Sequence, residues 1–251
     1  MKIYRFLHAG KPSLGVAEGD RMLRYSGIDA MSLGDAGSES ISLADAELLA
    51  PVTPSKIVAV GRNYAEHAKE LGNEAPSEPI IFLKPPSALL DPNGTIVRPP
   101  QSQRVDFEGE LAIVIGETAR NIRRDDWRSV VLGFTCANDV TARDLQKRDV
   151  QFTRGKSFDT FLPLGPCIET DLDPAALSLR TRVNGETKQN GNTRDMVFDC
   201  GTIIEFITSV MTLYPGDVIL TGTPAGVGPL SAGDRVEVEI EGIGILANRV
   251  S

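Results

Sequence analysis

The sequence predicts an α+β fold that is mainly β, in which a mostly antiparallel or mixed sheet folds on itself and short helices lie at its edges. Strand-like segments outnumber helical ones along the chain. Few of these strands are separated by the long crossover helix that parallel neighbours require. The run PVTP at residues 51–54 cannot continue a helix and favours extended backbone. We therefore predict a small N-terminal β domain over residues 1–52 and a larger domain over residues 53–251.

Short strands separated by turns are predicted in the N-terminal domain. The strands lie at residues 3–7, 15–17 and 22–23, and the turn Glu18-Gly19-Asp20 precedes the last of them. The stretch 26–42 is rich in Gly, Ser and Asp, so we predict a loop there.

The larger domain is predicted to alternate strands with short helices. Asn93-Gly94 and Asn184-Gly185 are typical of two-residue hairpin turns. We expect the first turn to join strands at residues 89–90 and 96–97, and the second to join strands at 177–183 and 186–189. Amphipathic or charged segments predict helices at 64–71, 125–131 and 202–211. The remaining predicted strands are 56–60, 80–83, 110–115, 133–137, 218–221, 235–240 and 244–250.

Composition excludes several classes of protein. The chain has 251 residues with 41% apolar types, which is enough for a sizeable core. A net charge of −8 disfavours binding to a nucleic-acid backbone. The three cysteines are too few and too widely spaced for a disulfide framework. We see neither a signal peptide nor an apolar run of roughly 20 residues. We therefore expect a cytoplasmic protein that binds neither nucleic acid nor membrane.

The segment DFEGEL indicates a metal site. Residues two apart on a strand point to the same face, so Glu108 and Glu110 would place two carboxylates side by side. Like charges this close repel unless a cation or proton lies between them. Since the ligands would be oxygens, the sequence favours a hard ion such as Mg²⁺, Mn²⁺ or Ca²⁺. Taken alone, such a pair is more often two surface glutamates at a strand end.

Three further candidates lie elsewhere in the chain. Asp139 follows the predicted strand 133–137 and could supply a third oxygen ligand, or else cap the helix after it. His67 and Glu70 are spaced to meet on one face of a short helix, where the carboxylate would orient the imidazole as a general base. Lys156 could hold a substrate carboxylate or stabilise an enolate. In isolation, His67 and Lys156 would be read as surface residues.

These segments together resemble the fumarylacetoacetate hydrolase family over residues 55–250. The resemblance rests on GRNYAEHAKELG, IFLKP, DFEGELAIVIG, NDVTARDLQ, GKSFDTFLPLGP, VNGE and GDVILTGTPAGVGP, which occur in the family's order. It implies a mixed β-roll, usually dimeric. It also implies that Glu108, Glu110 and Asp139 bind Mg²⁺ or Mn²⁺, with Lys156 beside the metal.

The resemblance assigns further roles and an activity. It implies that Arg143, Gln146 and Thr223 contact substrate, and that His67 and Glu70 form an acid–base pair on a helix that closes over it. The implied activity is metal-dependent hydrolysis or decarboxylation of a C–C bond next to a 2-oxo acid, of the acylpyruvate, fumarylpyruvate or oxaloacetate type, through an enolate.

Two alternatives stay open from the sequence, and a third is disfavoured. The first is an isomerase or tautomerase of 2-hydroxymuconate-type diacids, which would share the site but need no attack by water. The second is a metal-binding protein without catalytic activity. A nucleotide-binding enzyme is disfavoured, because the glycine-rich residues 222–233 match neither GxGxxG nor GxxxxGK[ST].

Overall fold

The computed structural model describes residues 1–27 and 29–251. Over these residues the chain forms twenty β-strands, four short α-helices and five 3-10 helices. The strands are β1 (Lys2–His8), β2 (Lys11–Glu18), β3 (Arg21–Tyr25), β4 (Ala36–Ser42), β5 (Glu47–Leu49), β6 (Ile57–Gly61), β7 (Ile80–Lys84), β8 (Leu89–Leu90), β9 (Thr95–Ile96), β10 (Val105–Phe107), β11 (Gly109–Ile115), β12 (Val131–Asn138), β13 (Thr141–Ala142), β14 (Leu162–Glu169), β15 (Ser178–Val183), β16 (Glu186–Asn192), β17 (Val218–Leu220), β18 (Gly228–Pro229), β19 (Arg235–Ile240) and β20 (Gly244–Val250). The helices are α1 (Ala65–Glu70), α2 (Arg143–Arg148), α3 (Thr153–Lys156) and α4 (Cys200–Val210). The 3-10 helices are Ala30–Ser32, Pro86–Ala88, Arg124–Val130, Pro174–Ala176 and Thr193–Asp195.

The strands form three sheets. The largest has twelve strands, in the order β4-β3-β2-β1-β14-β12-β11-β17-β6-β7, with β5 beside β1 and β8 beside β14. A five-stranded sheet runs β16-β15-β19-β20-β9, and a three-stranded sheet runs β13-β10-β18. Most pairs are antiparallel, but β6 and β17 are parallel. The predicted mainly β fold with a mixed sheet and short helices is therefore confirmed.

Strand β11 shows how the large sheet separates two hydrophobic cores. Leu111 and Ile113 face a cluster that includes helix α4 and the five-stranded sheet. Ala112 and Val114 point the other way, into a cluster with β6, β14 and β17. This alternation follows from the period-two geometry of a strand, so a strand buried on both faces is apolar throughout. The burial fixes the register at the end of β11, where the candidate ligands lie.

One predicted loop is a strand. Residues 26–42 were expected to be irregular, but Ala36–Ser42 pairs with β3, with Ile41 opposite Met22. The residues at the start of this strand are exposed, so the pairing depends on backbone hydrogen bonds rather than on apolar side chains. Composition alone could not reveal it. Ile28, in the same stretch, lies outside the described residues.

One predicted hairpin is wrong and the other is confirmed. Asn93 adopts a left-handed φ of 63°, as the turn requires. The flanking strands do not pair with each other, however, because β8 pairs with β14 and β9 pairs with β20. At Asn184-Gly185 both residues have positive φ, and β15 and β16 pair as a hairpin. The predicted helix at 125–131 is a 3-10 helix, Arg124–Val130.

Candidate metal centre

Three carboxylates converge where strands β11 and β12 meet. Glu108 lies in the break between β10 and β11, Glu110 is the second residue of β11, and Asp139 directly follows β12. Because Gly109 pairs with Asn138, the two strand ends coincide. One oxygen of each carboxylate lies within 4.8 Å of the others, and all three residues are buried. The predicted ligand set is therefore brought together.

Backbone hydrogen bonds hold two of these residues in place. The Glu108 amide donates to Asn138 Oδ1 at 2.9 Å, and the Asp139 amide donates to the Glu108 carbonyl at 2.8 Å. Glu108 therefore leaves the strand at the break but still directs its carboxylate toward the site. Asp139 does not cap helix α2, since the N-cap is Ala142 and no side chain caps it.

Two buried lysines neutralise part of this charge. Lys156 Nζ lies 2.7 Å from Glu108 Oε2 and 2.6 Å from Asp139 Oδ2. Lys84 Nζ lies 2.7 Å from Asp139 Oδ1 and also donates to the Lys156 carbonyl. Such pairs are tolerated in an interior only when they are compensated and hydrogen-bonded. The lysines and carboxylates therefore form one interdependent cluster.

Arg143 connects the cluster to helix α2. Its Nε donates to Asp106 Oδ2 at 2.9 Å, and its guanidinium also donates to Glu108. Its Nη1 donates to Gln146 Oε1 at 2.7 Å, which orients that amide. Two of the three residues predicted to contact substrate thus lie on one turn of helix, fixed against the carboxylates.

The charges around Glu108 and Glu110 push their pKa values in opposite directions. Burial would raise the pKa of Glu108, but the neighbouring Lys156 and Arg143 outweigh it and hold that pKa well below its usual range. Burial raises the pKa of Glu110, and the Asp139 and Glu108 carboxylates raise it further. Lys156 lowers the pKa of Glu110 in part, but burial and the neighbouring carboxylates outweigh it.

The geometry fits a hard divalent ion. Among residues 1–27 and 29–251, Glu110 forms no ion pair, and its carboxylate accepts a hydrogen bond from the Gly222 amide at 2.7 Å. An added cation beside Glu110 would relieve the repulsion from Asp139 and Glu108. The ligand atoms are all carboxylate oxygens, which favours Mg²⁺, Mn²⁺ or Ca²⁺ over softer metals.

Helix α1 carries the predicted acid–base pair. His67 is 5% exposed, and its Nδ1 lies 3.4 Å from Glu70 Oε2. Glu70 also accepts from the Gly226 amide, with both oxygens at 3.2 Å. With the proton on Nδ1, this arrangement leaves Nε2 free to accept a proton. The pair is thus fixed by the loop that contains Gly226.

Thr223 supports the backbone between the two glutamates. Its hydroxyl donates to the Gly109 carbonyl at 2.8 Å and accepts from Gln189 Nε2 at 2.7 Å. Gln189 Oε1 in turn accepts from the Gly109 amide at 3.0 Å. The side chain predicted to contact substrate therefore also holds Gly109 in place.

A cavity of about 330 Å³ joins these groups. Eight of the nine predicted site residues line it, namely His67, Glu108, Glu110, Asp139, Arg143, Gln146, Lys156 and Thr223. Glu70 lines a smaller cavity of about 220 Å³ that shares Leu71, Arg143 and Lys147 with the first. The volume suits a small organic acid.

Sequence reasoning missed three contributors. Lys84 ends the apolar strand β7, and a lone charge at the end of such a strand is a signal that could have found it. Asp106 lies in the same segment as the ligands but was given no role. Nothing in the sequence marks Gln189, because it lies in the hairpin strand β16 and reaches the site only through folding.

Family models match both parts of the chain. Residues 56–251 match the model described as fumarylacetoacetate (FAA) hydrolase C-terminal. The chain belongs to the fumarylacetoacetate hydrolase family. Residues 1–51 match a model described as Rv2993c-like, N-terminal. The two matched segments meet near residue 52, where we propose the domain boundary.

Proteins with different named activities resemble this chain. Oxaloacetate tautomerase FAHD2A, mitochondrial, from Homo sapiens is 48% identical over 82% of the chain and 70% of that protein. The crystal structure of 5-carboxymethyl-2-hydroxymuconate delta-isomerase from Mycobacterium smegmatis has 44% identity and a TM-score of 0.92, covering 100% of this chain and 99% of that one. Fumarylacetoacetate hydrolase from Exiguobacterium antarcticum has 41% identity and a TM-score of 0.91, covering 100% and 99%.

The described residues contain no helix with the length and apolarity to cross a membrane.

Proposed function

We propose that the protein is a divalent-metal-dependent enzyme that hydrolyses or decarboxylates a C–C bond next to a 2-oxo acid through an enolate. The substrate would be of the acylpyruvate, fumarylpyruvate or oxaloacetate type. The observation that carries this proposal is the convergence of Glu108, Glu110 and Asp139 within 4.8 Å, in the same cavity as His67 and Lys156. A metal-binding protein without catalytic activity would have no need of that imidazole.

The carboxylates would hold Mg²⁺ or Mn²⁺, with Ca²⁺ as a third ion that the same ligands accept. When bound, the ion would supply a Lewis acid for the keto and carboxylate oxygens of the substrate. Arg143 and Gln146 would orient the substrate from helix α2, since both are already fixed by hydrogen bonds. Lys156 would stabilise negative charge as the enolate develops.

His67 would move the protons. In hydrolysis, Nε2 would take a proton from the water that attacks the distal carbonyl, and Glu70 would stabilise the imidazolium through Nδ1. The same imidazole would return the proton to the enolate carbon as the C–C bond breaks. Decarboxylation of a β-keto diacid gives the enolate without attack by water, so it would depend less on His67.

A second candidate is keto–enol tautomerisation or isomerisation of a diacid. The 48%-identical oxaloacetate tautomerase and the 44%-identical isomerase favour it. Here a base would only carry a proton between carbon and oxygen, and no water would be consumed. Loss of His67 should therefore harm this reaction less than it harms hydrolysis.

Substrate assays with and without metal test the proposal. Protein loaded with Mg²⁺ or Mn²⁺ would be given acetylpyruvate, fumarylpyruvate and oxaloacetate, with cleavage, CO₂ release and the enol absorbance of oxaloacetate each followed. We expect turnover that EDTA abolishes and added metal restores. Full activity after complete removal of metal would contradict the scheme.

Replacing His67 by alanine separates the two candidates. We expect hydrolysis to fall roughly 10²–10⁴-fold, as for loss of a general base, with Mn²⁺ binding unchanged. His8→Ala is the matched control, since it is the other histidine of the chain and lies on β1. Unchanged hydrolysis in His67→Ala would remove the assigned base. Lost hydrolysis with retained tautomerisation would favour the second candidate.

We also propose that the enzyme is a cytoplasmic homodimer, as the family resemblance implies. Strand β7 is a candidate contact surface for a second copy, because it lies at the end of the strand order in the large sheet and its residue Leu83 is 48% exposed. Light scattering on the purified protein should give twice the chain mass of 27.0 kDa. A monomer at micromolar concentration would contradict this.

A further inference from the structure

The positively charged residues that line the main cavity differ in their partners. The cavity is lined by four lysines and arginines. Arg143 and Lys156 are already paired with buried carboxylates. Within residues 1–27 and 29–251, Arg62 and Lys147 make neither an ion pair nor a side-chain hydrogen bond. Their charges therefore remain available to an anion that enters the cavity.

Arg62 occupies a backbone conformation that disfavours it. Its φ is 58°, in the left-handed region that favours glycine. The turn positions Asn63, whose side-chain Nδ2 donates to the Thr221 carbonyl at 2.7 Å and to the Phe198 carbonyl at 3.0 Å. Glycine at position 62 would make this turn with less strain. A strained residue that lines a cavity is a reason to look for a function of its side chain.

A metal and one substrate carboxylate leave the cluster around the carboxylates with an excess of positive charge. Its buried part has four acidic and three basic side chains, which are Asp106, Glu108, Glu110, Asp139, Lys84, Arg143 and Lys156. The exposed Arg104 also pairs with Asp106 and brings the sum to zero. A divalent ion and the 2-oxo carboxylate of a substrate would then give one net positive charge, before Arg62 and Lys147 are counted. A second anionic group on the substrate would match this excess.

Part of the cavity wall is apolar, which strengthens such an interaction. Val60, Leu71, Phe82 and Phe152 line the same cavity. A carboxylate held among apolar side chains loses water, so a nearby guanidinium becomes a stronger partner than it would be at the surface. An alkyl chain of the substrate would pack on the same wall.

We propose that Arg62, with Lys147 adding positive charge at the rim, binds the second carboxylate of a dicarboxylic 2-oxo acid. The site would then select diacids over monoacids of equal length. This inference rests on the proposed function, since the first carboxylate and the keto oxygen are taken to bind at the metal centre. It assigns the specificity for substrate to residues outside the metal ligands.

Matched pairs of ligands test the inference by calorimetry on protein loaded with Mg²⁺. Each pair differs only in a terminal methyl or carboxylate. The pairs are 2-oxobutyrate and oxaloacetate, 2-oxovalerate and 2-oxoglutarate, and 2-oxohexanoate and 2-oxoadipate. Oxalate reports binding of the shared head group alone. We expect the diacid of at least one pair to bind at least about tenfold more tightly, as a charge-assisted hydrogen bond would provide.

Variants of Arg62 test whether its side chain causes the preference for diacids. Arg62→Gly should lose it, keep the affinities for oxalate and monoacids, and leave the melting temperature unchanged or higher because glycine suits the left-handed φ. Arg62→Lys should restore part of the preference, and Lys147→Ala should weaken it. Arg148→Ala is the control, since it removes an exposed charge next to Lys147 that does not line the cavity.

The outcomes separate this inference from the proposed function. Binding of oxalate and monoacids with no preference for any diacid would refute the role of Arg62 alone, as would a preference that survives in Arg62→Gly. If Arg62→Gly lost affinity equally for both members of a pair and had a lower melting temperature, Arg62 would be a structural residue. Preference for a diacid without turnover of acetylpyruvate, fumarylpyruvate or oxaloacetate would refute the proposed function instead. Failure of oxalate and every 2-oxo acid to bind would refute both.

Discussion

Replacing Glu110 by glutamine should stabilise the metal-free protein while abolishing its affinity for metal. The ligand oxygens of Glu110, Glu108 and Asp139 lie within 4.8 Å of one another. At an effective dielectric constant of about 20, two charges at that distance repel by about 3 kcal/mol. Glutamine has nearly the same shape, can still accept from the Gly222 amide, and has no charge to bury.

The stabilisation by Glu110→Gln should increase as pH rises. The pKa of Glu110 is raised in the folded protein, so its contribution to stability is fully present below its ordinary value of 4.5 and is lost as pH rises toward the raised value. The glutamine variant cannot ionise and should keep that stability. Without metal at pH 8 we expect a gain of about 1 to 3 kcal/mol, which corresponds to a rise in melting temperature of about 2–4 °C per kcal/mol.

Thermal unfolding in EDTA from pH 5 to pH 9, with and without added Mn²⁺, measures this effect. The wild type should gain stability from Mn²⁺, and Glu110→Gln should not. Glu117→Gln is the matched control, because Glu117 is exposed just beyond the other end of β11. A variant less stable than wild type in EDTA at pH 8, or one stabilised equally by Mn²⁺, would refute the reasoning.

Three further changes have expected outcomes. Lys84→Met leaves Asp139 with one fewer cation, so the free energy of unfolding in denaturant should fall by about 3–5 kcal/mol. A fall below about 1 kcal/mol would contradict the buried pairing. Gly109→Ala would bring a Cβ to 2.2 Å from Thr181 Oγ1, so it should lower Mn²⁺ affinity, whereas Gly228→Ala meets only ordinary contacts and should not. Burial raises the pKa of all three cysteine thiols, so a thiol reagent should label them only after unfolding, and rapid labelling of the native protein would contradict their burial.

The candidate metal ligands could be proposed because a local pattern of acids suggested them and the family resemblance joined Asp139 to the pair. Glu108 and Glu110 are two acids beside an apolar strand, and a pair of buried acids has few explanations other than a proton or a cation. The prediction placed both on one strand, whereas Glu108 lies in the break before β11. That difference depends on pairing with Asn138 on the next strand, which no local pattern specifies.

Long-range contacts account for what the sequence did not predict. Lys84 reaches Asp139 across 55 positions of the chain, and Gln189 reaches Gly109 across 80. Neither the residue type nor its spacing in the sequence indicates such a contact. The hairpin predicted at Asn93-Gly94 was wrong for the same reason, since the geometry of the turn is local but the choice of strand partners is not. Strands such as β11 were predictable, because burial on both faces leaves an apolar run in the sequence itself.

An anomalous difference map from a crystal soaked in Mn²⁺ and oxalate tests the metal centre most directly. We expect one Mn²⁺ peak per chain, bound by oxygens of Glu108, Glu110 and Asp139, with oxalate chelating its open side toward His67. Absence of a peak at the three carboxylates, with oxalate bound elsewhere, would contradict the proposed chemistry.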